Sequence, residues 1–312
     1  MGVVTTDWSR SIGIDVPVVN APMGGVAGGA LAAAVSRAGG LGMIGMGSAA
    51  TVQRLTIELE HVSKLDRPFG IGLVDWVATS RPELLATALA ARPALLCVSF
   101  GETWDWVSRA HDAGVFAATQ VSDLASGERA VAAGVDVVVA RGAEGGGHGQ
   151  PLVGTLPLLT ALLDNLPVPV LAGGGIGSAR GLAAVLAAGA SAAWVGTAFC
   201  ACPESLLTDK ARDVMLAAAD TDTVNTRVFD IAQGYPWPAQ LPERVLRNSF
   251  SDRWDGDEAA LSVDPVAAAE LAAAIAAEDY SQAPINAGQG VGELVEALSA
   301  AEVIEMLLRV KD

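Results

Sequence analysis

The stretch Arg141 to Pro151 reads RGAEGGGHGQP and follows the apolar run VDVVVA, so three consecutive glycines lead into one of only three histidines in the chain. An imidazole that titrates near neutrality can take a proton from carbon beside an electron-withdrawing group, or hydrogen-bond the negative oxygens formed there. Gly145, Gly146 and Gly147 carry no Cβ, so the main chain there can lie against a flat ligand, with His148 projecting over it. His148 is therefore the candidate catalytic residue. His61, in TIELEHVSKLD, and His111, in WVSRAHDAG, read as solvated or capping residues. Glu144, four residues before His148, either orients it or stays hydrated, and hydration is the simpler reading. Asp75 is open to the same two readings.

A second constellation is AGGGIGSARGLAAV, in which Gly173 to Gly175 stand between an apolar run and a helix that Ser178 can cap. Bare main-chain N–H groups beside a helix N-terminus hold an anion, and phosphate is the usual one. Gly196 and Thr197 close the next apolar run, so both loops can face one phosphate. Neither H-E-x-x-H nor any similar ligand spacing occurs, so no metal is indicated. No G-x-S-x-G elbow supplies a serine nucleophile.

Such groups need elements that bring their loops together. From Val16 onward, short runs rich in Val, Ile and Leu alternate with Ala-rich segments that close on Gly, which predicts parallel strands joined by crossover helices. The expected strands are 16–23, 41–47, 69–75, 94–101, 115–122, 135–142, 168–175 and 190–197. Eight such units fit a (β/α)8 barrel, whose site lies in the loops after the strand C-termini and whose last two loops commonly hold phosphate. An open doubly wound sheet is the alternative. Junctions such as Ala38-Gly39, Ala113-Gly114, Ala133-Gly134 and Ala188-Gly189 recur as helix stops. After Thr197 the rhythm fails. Residues 1–220 and 284–312 are expected to form the barrel, and 221–283, with Tyr235-Pro236-Trp237-Pro238, a helical insertion or lid at its mouth. A last amphipathic helix is expected over Ser299 to Val310.

Composition narrows the partners. With 19 basic and 35 acidic residues and a net charge of −16, the chain would be repelled by phosphate backbones and anionic membranes, so no nucleic-acid or membrane partner is expected. No apolar run reaches the length of a membrane span. The opening MGVVTT fits a loose myristoylation pattern, but no polybasic segment accompanies it. Cys97, Cys200 and Cys202 fit neither a zinc pair nor a redox C-x-x-C and read as reduced, packed thiols of a cytoplasmic protein. Self-association is left open.

NAPMGGVAGGALAAAVSRAGGLGMIG, RGAEGGGHG, PVLAGGGI, VGTAF and NAGQGVGEL, in this order, together resemble the nitronate monooxygenases, formerly 2-nitropropane dioxygenases. The resemblance implies FMN held non-covalently at the barrel mouth and oxidation of nitronates or nitroalkanes with dioxygen. It also implies that Met23 lines the flavin and that His148 is catalytic. By the same match Gly146 and Gly147 lie beside the ring, while Gly174, Gly175, Val195, Gly196 and Thr197 form the phosphate loops. Gln289 matches the glutamine of a late G-Q segment. Three positions depart from the family pattern: Arg141 stands where Gln is usual, Gly145 where Ala is usual, and Gly72 where many members carry an Asn against the flavin. An arginine beside the ring would stabilise an anionic ring or substrate. Flavin-dependent enoyl-acyl-carrier-protein reductases and NAD(P)H:quinone reductases resemble the same motifs, which makes an NAD(P)H-dependent reductase the alternative activity.

Overall fold

A computed structural model describes residues 5–309, so the start of the MGVVTT segment and the end of the last expected helix lie outside the described residues. The strands are β1 Val18–Asn20, β2 Gly42–Met46, β3 Phe69–Val74, β4 Leu95–Ser99, β5 Phe116–Val121, β6 Val137–Arg141, β7 Gly147–His148, β8 Val170–Gly173, β9 Ala192–Val195, β10 Thr223–Thr226 and β11 Glu243–Leu246. Eight of them, in the order β1-β9-β8-β6-β5-β4-β3-β2, form one parallel sheet. A parallel bridge between Val19 and Leu41 joins its two edges, and the sheet closes into a (β/α)8 barrel. Each barrel strand falls inside one of the eight expected apolar runs.

The strands are buried on both faces, as continuous β-branched runs require. The Ala-Gly junctions are helix stops in the expected sense: Gly39, Gly114, Gly134 and Gly189 take φ of 94°, 70°, 92° and 107°, the left-handed region that ends a helix and turns the chain toward the next strand. Apolar side chains on the outer strand faces pack against the helices, and a separate cluster including Val19, Met43, Leu95, Val139 and Leu171 fills the barrel interior. Side chains alternate along a strand, so two residues past interior Cys97, Ala118, Val139, Leu171 and Ala192 stand Ser99, Gln120, Arg141, Gly173 and Trp194. This last layer faces the mouth.

Segment 221–283 is not purely helical. Its helices Val228–Gln233, Ser249–Trp254, Glu258–Leu261 and Pro265–Ala276 accompany β10 and β11, which pair antiparallel. β11 also pairs with β7, with Glu243 opposite His148 and Arg244 opposite Gly147. The segment has its own apolar centre, in which Phe229 and Phe250 stack 5.4 Å apart. No helix among the described residues is long and apolar enough to cross a membrane.

Candidate active site

The loop after β6 is built around Arg141. Its Nη2 donates to the carbonyls of Gly145 at 2.8 Å, Gly146 at 3.1 Å and Gly147 at 2.9 Å, and Nη1 donates to Gly142 O at 3.3 Å. One buried guanidinium thus gathers the carbonyls of the glycine turn, and its charge strengthens each bond. Burial lowers its pKa to about 10, helped by the nearby charge of Arg244 and opposed by Glu144. These bonds commit most of its donors to main chain, while the residue also lines the smaller of the two cavities described below. The turn needs glycine at position 147, where φ is 68°.

The turn delivers His148 into β7, where Asp230 and Trp237 of the insertion and Phe100 of the loop after β4 surround the ring. Nε2 lies 2.8 Å from Asp230 Oδ2. Trp237 stacks on the imidazole, with centroids 3.6 Å apart and planes 8° from parallel, while Phe100 meets both rings edge-on. Phe100 holds φ at 73°, a costly conformation for an aromatic residue and a mark of strain at a built site. The Trp237 indole donates to Ser48 Oγ at 3.0 Å, tying the insertion to the loop after β2. Glu243 is buried beside this pair. Its carboxyl is held well above the usual range by burial first and by the charge of Asp230 second, against a hydrogen bond from Asn286. His148, Asp230 and Glu243 each place a nitrogen or oxygen within 4.8 Å of the others. Glu144 does not orient His148: it accepts from Thr155 N and Oγ1. Asp75 is buried and accepts from Thr103; burial raises its pKa and that bond opposes the rise.

Two adjoining cavities occupy the mouth. The larger, of about 210 Å3, is lined by Met23, Gly72, Gly146, Gly147 and His148 and closed on one side by Phe100 and Trp237. Among the described residues, no Lys, Arg, Asp or Glu lines it. The smaller, of about 60 Å3, is lined mainly by glycines, including Gly146, Gly174 and Gly175, with Arg141 at its wall. Gly196, Thr197, Gln120 and Trp194 border both. Among the described residues, the amides of Gly174, Gly175, Ile176 and Gly177 donate to no protein acceptor. They stand before the helix Ala179–Ala187, capped by Ser178. Among the described residues, buried Trp194 Nε1 has no hydrogen-bond partner at the border.

The structure thus places His148 and the expected contacts Met23, Gly72, Arg141, Gly146, Gly147, Gly174, Gly175, Gly196 and Thr197 around two neighbouring cavities that share part of their walls. Two expected residues stand outside them. Val195 packs its side chain into the layer between barrel and helices and lines neither cavity. Gln289 lines neither cavity but a third groove, which shares Gly174, Gly175, Ile176 and Gly290 with the smaller one. The glycine at position 72 has a steric reason: a Cβ there would sit 2.3 Å from Pro22 Cβ and Cγ, so an asparagine has no room. Sequence reasoning missed Asp230, Trp237, Phe100, Glu243, Gln120 and Trp194 as site residues. Trp237 had a signal in the aromatic YPWP segment, which was assigned to a lid.

The family model described as nitronate monooxygenase matches residues 6–83 and 75–309. The chain belongs to the nitronate monooxygenase family. Among curated relatives, a nitronate monooxygenase of Pseudomonas aeruginosa is 32% identical, covering 98% of this chain and 99% of that protein. One of Paraburkholderia phytofirmans is 31% identical over 96% of this chain and 93% of its own. Among solved structures, FabK from Thermotoga maritima is 28% identical with a TM-score of 0.85, covering 98% of this chain and 95% of its own. A nitroalkane oxidase from Streptomyces ansochromogenes is 28% identical with a TM-score of 0.81, covering 96% of each chain. Membership of the nitronate monooxygenase family makes the protein an oxidoreductase.

Proposed function

We propose that the protein is an FMN-dependent monooxygenase that oxidises alkyl nitronates or nitroalkanes with dioxygen to a carbonyl compound and nitrite. One observation carries this reading: His148 lines the larger cavity, which shares a wall with a smaller one lined by amides that have no acceptor among the described residues. The residues fit the flavin. Four free amides before a capped helix suit its phosphate, with Arg141 adding positive charge at the wall. The orphaned indole N–H of Trp194 and the glycine turn suit the polar edge and face of a planar ring. Bound there, FMN would supply the two-electron acceptor that dioxygen restores.

The chain's own groups do the rest. His148 takes the proton from the carbon bearing the nitro group of a neutral nitroalkane, or hydrogen-bonds the nitro oxygens of a nitronate. Phe100 and Trp237 fix the plane of the imidazole and shield it from bulk water. A cavity lined by no Lys, Arg, Asp or Glu among the described residues suits a compact substrate without a carboxylate or phosphate.

A second reading, an NAD(P)H-dependent flavin reductase, is favoured by the fold likeness to FabK together with the motif resemblance to flavin-dependent enoyl-acyl-carrier-protein reductases. Absorption spectra under nitrogen separate the two. Loss of the yellow oxidised band on adding a nitroalkane, with indifference to NADH and NADPH, is the expected result; rapid bleaching by either nicotinamide reverses the assignment. His148→Asn is expected to keep the bound chromophore while turnover of a neutral nitroalkane falls by about 100-fold or more, and full retained activity removes His148 from the mechanism.

A further inference from the structure

The function proposed above uses His148 as a proton acceptor but leaves two buried carboxyl groups beside it unexplained. Asp230 arrives from the helix Val228–Gln233 and meets Nε2 at 2.8 Å, while Glu243 faces His148 across the β7–β11 pair. Both carboxyl groups are buried, and their oxygens approach His148 and one another within 4.8 Å. Two carboxylates this close, away from water, cannot both ionise without large repulsion. The cations on neighbouring elements do not relieve it. Arg141 on β6 is held by the glycine carbonyls, and Arg244 on β11 donates to Ala143 O and Thr223 Oγ1. The remaining neighbours of the ring, Trp237 and Phe100, do not titrate.

We propose that Asp230 and Glu243 form a carboxyl pair that holds one proton between them and presents one negative charge to His148, so that the imidazole keeps its hydrogen on Nε2 and offers Nδ1 as the proton acceptor. An ionised Asp230 has only lone pairs to give, so the hydrogen in the 2.8 Å contact belongs to Nε2. Nδ1 has no partner among the described residues, and the ring lines the larger cavity. The second carboxyl group keeps the proton: Glu243 is held well above the ordinary carboxylate range by burial and then by Asp230. Asp230 and Glu243 are positioning residues, since they act through His148. In the step they serve, the C–H bond of the nitroalkane breaks, its proton goes to Nδ1, and the electron pair moves onto the nitro oxygens. Nothing is oxidised in that step, and the charge of the carboxyl pair stabilises the imidazolium that forms.

This inference rests on His148 being the acceptor, and nitrogen-15 NMR of histidine-labelled full-length protein tests it without requiring turnover. With three histidines in the chain, His61→Gln and His111→Gln assign the signals. The wild type is expected to show His148 as the Nε2–H tautomer at neutral pH. Asp230→Asn is expected to mix the tautomers, because an amide can donate to Nε2 as well as accept from it. Glu243→Gln is expected to keep the tautomer, since Asp230 still accepts from Nε2. A wild-type Nδ1–H tautomer, or an Asp230→Asn protein with an unchanged tautomer, overturns the proposal. So does one divalent ion per chain in the purified protein that is lost with Asp230→Asn. If that variant does not fold, the wild-type and Glu243→Gln spectra still decide. In turnover, Asp230→Asn should slow a neutral nitroalkane by about 10- to 100-fold while sparing the preformed nitronate. A wild type inactive on both substrates would count against the proposed reaction and leave the tautomer result to judge the carboxyl pair.

Discussion

Arg141 shows how a single buried side chain can support a reactive one without touching substrate. Its removal strands the carbonyls of Gly145, Gly146 and Gly147. Arg141→Leu is therefore expected to cost about 3 kcal/mol or more, because charged donors are lost and buried acceptors go unsatisfied. Urea unfolding would read this as a lower midpoint, and Arg141→Gln, with two amide hydrogens, should recover part of it. The thiols give a pH prediction. Burial pushes Cys97 and Cys200 up to about 12 and raises Cys202 as well. In the unfolded chain these groups ionise near the ordinary value of 9.0, so between about 9 and 12 the unfolded state binds fewer protons. Stability is expected to be full below pH 9 and to fall as pH rises toward 12, followed by urea midpoints, and Cys97→Ala should flatten the fall by one thiol's share. His148 was legible in the sequence because glycines before an imidazole are a local signal. Asp230 was not. It stands 82 positions away in the unmarked stretch VFDIAQ, and only the packing of the insertion against the barrel mouth brings it near.

At the scale of elements, the site depends on two turns set into one end of the barrel. Gly174 carries φ of 118°, and a Cβ there would sit 2.7 Å from Thr155 Oγ1. Gly174→Ala is expected to weaken FMN binding about tenfold or more, through strain of about 1–3 kcal/mol in the anion-holding turn, as fluorescence titration with FMN would measure. Trp237→Phe keeps a ring over His148 but removes the donor to Ser48 Oγ. Nitroalkane turnover in that variant should show a raised KM with a smaller change in kcat. The barrel strands were legible because parallel strands buried on both faces are written as unbroken Val, Ile and Leu runs. TVNT and ERVL, which became β10 and β11, carry no such run. Their pairing comes from tertiary contact, and ERVL hides Glu243 and Arg244 in buried positions where charge ordinarily argues for solvent.

At the scale of the whole molecule, the apolar centre of the insertion stands apart from those of the barrel, and the short β7–β11 ribbon is one of the links between them. Phe250, 2% exposed, anchors the centre of the insertion, so Phe250→Ala is expected to destabilise that unit by about 3–5 kcal/mol. Circular dichroism should then show an early partial transition, and His148 should lose Asp230 and Trp237 while the barrel sheet survives. The pairing of β7 with β11 has a kinetic consequence. Barrel strands mostly meet their sequence neighbours, whereas the base and its carboxylate meet only after a long loop has closed. During refolding, far-ultraviolet ellipticity would recover ahead of catalysis, making enzymatic competence the last property this polypeptide acquires.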